Sequence, residues 1–404
     1  MLGLLLFTVS VVTVRVPLAD VGVIIGAIGI LFQNEAFRFP KPLVLCGIFV
    51  AWTFVCAILS DFSYIVYQTA FETLKLWIIF VVIVNTLRTE KQLRIFLLMY
   101  LASFVLSPGR GSLQGYAGGN TVFGRAMWNY NYNNPNDMAA LTLLARGFAL
   151  AVATAAKEKT AIRNLAWLSI LMFVIIVFLT QSRGALLGAI AGFGLGLTGL
   201  IRRRRGALII ALVATGLAIY FVPQTAWERF AGMSNLTSTA TIAEADPEGS
   251  AINRWEIKKA AFQMFLARPV FGTGPGAFER AMAVDFPELG SKDTHDTYLN
   301  LAAELGLPGF VIWCAMVLTV LISARTSRLT STAPSQLIEQ VWIERAMLAF
   351  LVTGFFGTYS RVSYLYLYVG FIWCLSLFNQ PEETASPFRE KRATSVRSTE
   401  KTKR

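Results

Sequence analysis

The sequence is short of charge and almost without histidine. Asp, Glu, Lys and Arg make up 15% of its 404 residues, against 55% hydrophobic residues, and the mean hydropathy is +0.56. A soluble globular domain is nearer one quarter charged, so this composition excludes an ordinary soluble fold and indicates a polytopic membrane protein. The one histidine, His295, has no partner at metal-ligand spacing. The four cysteines, Cys46, Cys56, Cys314 and Cys374, sit singly inside apolar runs. That pattern argues against a zinc site and against a disulfide framework, and reads as small core or lipid-facing residues. A nucleotide-binding loop is also missing: "FGTGPGAF" is a tight glycine turn without the Gly-Lys-Ser/Thr ending. The first residues, "MLGLLLFTVSVVTV", lack the basic start and cleavage site of a signal peptide and are read as a first membrane segment. The net charge of +12 raises the question of nucleic acid. Basic loops and a basic tail held against an anionic membrane surface account for it better, so membrane lipid and not nucleic acid is the expected partner.

What is present is a series of apolar runs. A spanning helix needs roughly 20 apolar residues. Candidate spans are 2–14, 17–33, 42–60, 65–87, 93–107, 137–156, 163–181, 184–201, 206–222, 297–323, 343–359 and 361–379. The expected fold is therefore all-α, with about twelve transmembrane helices. The positive-inside rule supports the count. With the run Arg202–Arg205 in the cytoplasm, Arg38, Lys41, Arg88, Lys91, Arg94, Lys157, Lys159, Arg163, Arg325 and Arg328 all fall on that side. Both termini then lie in the cytoplasm, and 381–404 reads as a disordered basic cytoplasmic tail. The expected organisation is 1–222 as nine spans with an external loop at 108–136, 223–296 as a large external loop, and 297–380 as three more spans. Long connections are uncommon in compact proteins and are often functional.

Four stretches carry candidate chemistry. In "TQSRGALLGAIAGFGLG", Gly184, Gly188, Gly192 and Gly196 recur every fourth residue and make a smooth stripe for a neighbouring helix or lipid chain. Arg183 begins that stripe. A cation there either snorkels to headgroups or grips an anion, for which the guanidinium fork is suited. Residues 251–267 read as an amphipathic helix, with Ile252, Trp255, Phe262, Phe265 and Leu266 as the apolar side against the membrane portion. Arg254 lies on its opening turn, Lys258 and Lys259 on a charged interfacial face, and Arg268 just before Pro269. In "KDTHDTYLNLAAE", His295 has two acidic neighbours, Asp293 and Asp296, either of which could orient its ring. An imidazole at a loop's re-entry into the membrane suits a general base, and a structural histidine is the plain alternative. The loop 108–136 adds Arg110, Arg125 and an Asn- and Tyr-rich stretch, 129–137, suited to sugars but also common in loops. Asn136 or Asp137 could cap the sixth span.

These motifs together, "TQSRGALLG", "INRWEIKKAAFQMFLARPVFGTGPGAF" and "THDTYLNLAAELGLPGF", resemble the shared region of bacterial O-antigen ligases (WaaL-type) and polymerases (Wzy-type), over about 180–310. The resemblance implies a GT-C-like glycosyltransferase of the inner membrane with its active site facing the periplasm. It implies transfer of a glycan from undecaprenyl diphosphate to lipid A-core oligosaccharide, with no metal or other cofactor. It further implies that Arg183 and Arg254 hold the diphosphate and His295 activates the acceptor hydroxyl, with Arg268, Arg125 and Asp296 as further substrate contacts. A polymerase, a protein O-oligosaccharyltransferase and, outside the enzymes, an anionic-substrate transporter or flippase are the competing readings.

Overall fold

A computed structural model describes residues 1–13, 18–33, 35–155, 158–194, 250–330 and 334–378. The expected span 206–222, the arginine run 202–205, Gly196, the loop residues 223–249 and the tail 381–404 lie outside the described residues. Within them the chain is helical and forms no strand. The helices are α1 (Leu2–Thr13), α2 (Ala19–Leu31), α3 (Lys41–Ile58), α4 (Ser63–Thr86), α5 (Glu90–Phe104), α6 (Arg110–Ala117), α7 (Pro135–Thr154) and α8 (Thr160–Leu179). They continue as α9 (Arg183–Ala189), α10 (Ser250–Ala267), α11 (Phe278–Asp285), α12 (Thr297–Thr330), α13 (Pro334–Thr353) and α14 (Ser363–Phe378). Among the described residues, six stretches are long and apolar enough to cross a membrane: α3, α4, the run from α5 through α6, α7, α8 and α12. α1, α2 and α14 are apolar but shorter. The chain is thus a multi-pass helical protein, and the figure of twelve spans goes beyond what these helices establish.

Two elements differ from the sequence expectation. The fifth span does not stop at 107. A π-helical turn, Val105–Gly109, absorbs Pro108 and runs on into α6. A proline cannot supply the helical N–H and crowds the preceding turn; the wider π turn accommodates it. α12 is kinked at Gly306, where φ is +65. The kink frees carbonyls inside an apolar span, and such groups cost several kcal/mol each if left unmet in lipid. They are met by neighbours. Thr273 N donates to Ala303 O (2.9 Å), Gly274 N to Glu304 O (2.9 Å) and Trp52 Nε1 to Leu305 O (2.9 Å). The glycine turn after α10 is therefore docked on the kink, and Gly272, Gly274 and Gly276 all have positive φ there.

α7 lies at the centre, almost wholly buried from Met138 to Thr154. Its small residues permit close approach: a side chain at Gly147 would strike Ala346 of α13 and Tyr368 of α14. The glycine stripe of α9 packs on α13 as well. Gly188 lies against Ala349 and Thr353, and Gly192 against Arg345 and Ala349.

Polar contacts sort the helix ends into two rims. At one, Arg88 Nη2 donates to Ala36 O (2.7 Å), Arg94 pairs with Glu158 (2.5 Å) and Arg328 with Glu344 (3.0 Å). At the other, Asn134 caps α7, Ser182 caps α9, and α12 begins beside the 354–362 connection. The expected basic loops that can be seen share the first rim. The candidate residues sit at the second.

Candidate active site at the second rim

The turn carrying His295 is pinned along its length to the connection between α13 and α14. Thr297 N donates to Gly354 O (2.7 Å) and Thr297 Oγ1 to Gly357 O (2.7 Å), while Tyr359 N donates to Thr297 Oγ1 (2.8 Å). Thr358 Oγ1 lies 2.8 and 2.9 Å from the two carboxylate oxygens of Asp293. His295 itself holds a left-handed backbone, φ +48. That region is uncommon for non-glycine residues, and such strain concentrates at functional sites.

The two acids flanking the ring have separate tasks. Asp293 Oδ2 stands 3.4 Å from His295 Nδ1. Asp296 turns away. Its Oδ1 caps α12, accepting from Tyr298 N (3.0 Å) and Leu299 N (3.1 Å), and its Oδ2 pairs with Lys258 (2.8 Å). Both oxygens of Asp296 are used within the protein, so Asp293 is the acid that faces the imidazole.

Arg254 and Lys258 reach the same turn from α10. Burial lowers the pKa of His295, Asp293 raises it, and the charges of Arg254 and Lys258 lower it; the net shift is downward. A ring so placed is neutral at neutral pH and available to accept a proton. Lys258, expected on a charged interfacial face, is held by the 354–362 connection: Nζ also donates to Phe355 O (2.8 Å) and lies over the Phe356 ring. Arg183 comes to this connection from another side. Gln181 takes φ +51, Ser182 Oγ accepts from Ala185 N (3.3 Å), and Gly184 lies against Phe356. The turns before Arg183 and after His295 are built alike, each a left-handed residue followed by a capping side chain. His295, Arg254 and Arg183 thus stand around one short connection, 354–362.

The remaining candidates are placed differently. Arg125 Nε donates to Thr180 O (2.8 Å) and Nη2 to Asn136 Oδ1 (2.8 Å), so it ties the first outer loop to the turn before Arg183. The helix cap expected at Asn136 or Asp137 is Asn134, whose Oδ1 accepts from Asn136 N (2.8 Å). Asp137 Oδ1 accepts instead from Tyr359 Oη (3.1 Å). Arg268 pairs with Asp285 (2.7 Å) at the far end of α10. That helix also presents the opposite side from the one expected. Ile257, Ala260, Ala261 and Met264 are buried against α11 and Ala303, while Trp255, Phe262 and Leu266 are about half exposed. Two of these four are alanines, so the buried face carries less apolar bulk than the exposed one.

Some site features were not read from the sequence. Glu304 and Arg361 form a buried ion pair, and Glu304 also accepts from Gly276 N (2.9 Å) and Phe278 N (3.3 Å). An acid inside an apolar run was the available signal, since a charge there needs a partner. Thr358 and Tyr359 had no signal of their own. Among the described residues, no three His, Cys, Asp or Glu side chains come together as a metal site.

The fold and this rim define the class: a multi-pass helical membrane protein with its one imidazole and the helix starts that bear Arg183 and Arg254 at one end of the bundle. Residues 167–314 match the protein-family model described as O-Antigen ligase. His295, Arg183, Arg254, Arg268 and Asp296 fall inside the matched stretch; Arg125 and the 354–362 connection fall outside it. A comparison with curated proteins finds no match.

Proposed function

We propose that the chain is an O-antigen ligase: a glycosyltransferase that moves a glycan from undecaprenyl diphosphate to a sugar hydroxyl of lipid A-core oligosaccharide, at the periplasmic face of the inner membrane. The observation that carries this reading is the setting of His295, with Asp293 at Nδ1 and the charge of Arg254 beside the ring, inside the matched family domain.

The chemistry follows from those groups. The acceptor hydroxyl has a pKa far above neutral and needs a base as its bond forms. With Asp293 at Nδ1, His295 Nε2 is the nitrogen for the proton. The acceptor oxygen attacks the anomeric carbon, and the bond from that carbon to the diphosphate oxygen breaks. The electron pair leaves with the polyprenyl diphosphate, whose growing charge is met by Arg183 and Arg254. Two guanidinium forks suit phosphate oxygens better than two ammonium groups. Direct displacement of this kind inverts the anomeric centre. Arg125 and Arg268 are left out of the diphosphate set, because Arg125 ties the 108–136 loop to Thr180 and Asn136 and Arg268 stands at the far end of α10 from His295.

Purified protein in detergent, given lipid-linked glycan and lipid A core, tests the reading. Product without a sealed vesicle is the expected result; none would favour the transporter. A deletion strain separates the nearest rival. Bare core with accumulated lipid-linked polymer is expected for a ligase, and core bearing a single repeat for a polymerase.

A further inference from the structure

A cavity opens beside the His295 turn, between the start of α7, the 354–362 connection and the start of α14. It has a volume of about 310 Å³ and is lined by Asp137, Leu141, Thr358, Tyr359, Arg361, Val362, Ser363 and Tyr364. That volume is at the small end for ligand pockets and suits one sugar ring rather than a chain.

Its walls are of two kinds. Leu141, Val362 and the Tyr364 ring are apolar, and Tyr364 is held in place because its hydroxyl donates to Val11 O (2.7 Å). Opposite them stand a carboxylate, a guanidinium and several hydroxyls. Asp137 has one oxygen bonded to Tyr359, and among the described residues its other oxygen takes no hydrogen bond. A carboxylate on an apolar span is costly unless something answers it. Arg361 is already matched by Glu304, so it offers donors without excess charge. An amphipathic ring with hydroxyls on its rim and C–H groups on its face fits such a lining. Thr358 joins this cavity to the proposed base: it lines the cavity and hydrogen-bonds both oxygens of Asp293.

We infer that this cavity is the subsite for the acceptor sugar, and that Asp137 accepts a hydrogen bond from a hydroxyl of that sugar while a neighbouring hydroxyl is presented to His295. The inference rests on the transferase reading above, and it assigns substrate contacts outside the matched family stretch.

The test uses full-length protein in detergent and two variants. Asp137→Asn keeps the shape and removes the charge; Leu141→Phe fills the cavity and leaves the polar wall intact. Transfer is measured with acceptor varied at saturating donor, and then the reverse. Each variant is expected to raise the acceptor KM about ten-fold or more, the scale of a lost charge-assisted hydrogen bond, and to leave the donor KM within about two-fold. Binding of lipid A-core oligosaccharide and of lipid-linked repeat unit, each alone, is measured in parallel. Loss of lipid A-core binding in both variants, with binding of the lipid-linked repeat unit kept, supports the subsite. If wild type transfers normally and neither variant changes the acceptor KM, or if the donor KM rises instead, the subsite is overturned. If wild type binds the sugar through Asp137 but transfers nothing, the subsite stands and the transferase reading falls.

Discussion

Arg254 stands on the first turns of α10 and Arg268 just past its last, roughly 20 Å apart along the helix axis. At the first end, Arg254 and Lys258 act on the sole imidazole of the chain, and the turn they reach is held by hydrogen bonds to the 354–362 connection. At the second end, Arg268 is paired with Asp285, and the glycine turn that follows closes the broken carbonyls of α12. The same residue type thus stands at both ends of one helix, beside the proposed site at one and in an ion pair that belongs to the fold at the other.

Substitutions at the two ends should separate these roles. The largest effect is expected from His295→Ala, which should insert and fold normally yet lose about 10²–10⁴-fold in transfer, the usual worth of general-base help. A variant that keeps substantial activity in the purified assay removes His295 as the base. Glu304→Gln acts where the glycine turn meets Arg361 of the 354–362 connection. It breaks a buried ion pair and weakens two backbone hydrogen bonds at the glycine turn, so a loss of about 3–5 kcal/mol is expected. Thermal unfolding in detergent reads it, as a lower Tm. An unchanged Tm would mean that the glycine turn does not hold the kink.

Arg254→Ala and Arg183→Lys should each cost about 10²–10³-fold in transfer, the scale of a lost electrostatic donor. Lysine at 183 keeps the charge but not the fork, so near-normal turnover by that variant would argue against a bidentate phosphate contact. A smaller effect distinguishes the acids. Transfer should rise with pH as His295 loses its proton, with the acid limb below the ordinary histidine range because the ring's pKa is lowered. Asp293→Asn removes a charge that raises that pKa, so its acid limb should move to lower pH. Asp296→Asn should not move it in that direction, since Asp296 caps α12 and pairs with Lys258. The smallest effect is expected at the far end. Arg268→Ala breaks a part-exposed ion pair worth about 0–1 kcal/mol, and transfer rates should stay within about three-fold of wild type.

The same contrast shows what could be read from the chain itself. Apolar runs located the long helices, because length and composition alone decide whether a segment can sit in lipid. The stretches bearing Arg183, Arg254 and His295 stood out through their residue types. Their meeting was not, because Thr297 and Gly357 are sixty positions apart and nothing local says they touch. The buried face of α10 was misread for a different reason. Trp255, Phe262 and Leu266 weigh heavily in any apolar pattern, whereas the contact with α11 is made by Ala260, Ala261 and Met264. The loop at 108–136 was read as starting one turn after α5 because Pro-Gly-Arg-Gly usually breaks a helix. The π turn that lets Pro108 through leaves no mark in the sequence. Left-handed backbone at Gln181 and His295 was equally silent, being imposed by the packing of the turns.

Because the chain has one histidine, its imidazole can be titrated alone. Histidine-labelled protein, purified without a polyhistidine tag, should give one ring resonance by NMR in detergent. A pKa below the ordinary 6.5 is expected in wild type, with a higher value in Arg254→Gln and a lower one in Asp293→Asn. A wild-type value at or above 6.5 that neither substitution moves would show that Arg254 and Asp293 do not share a site with His295.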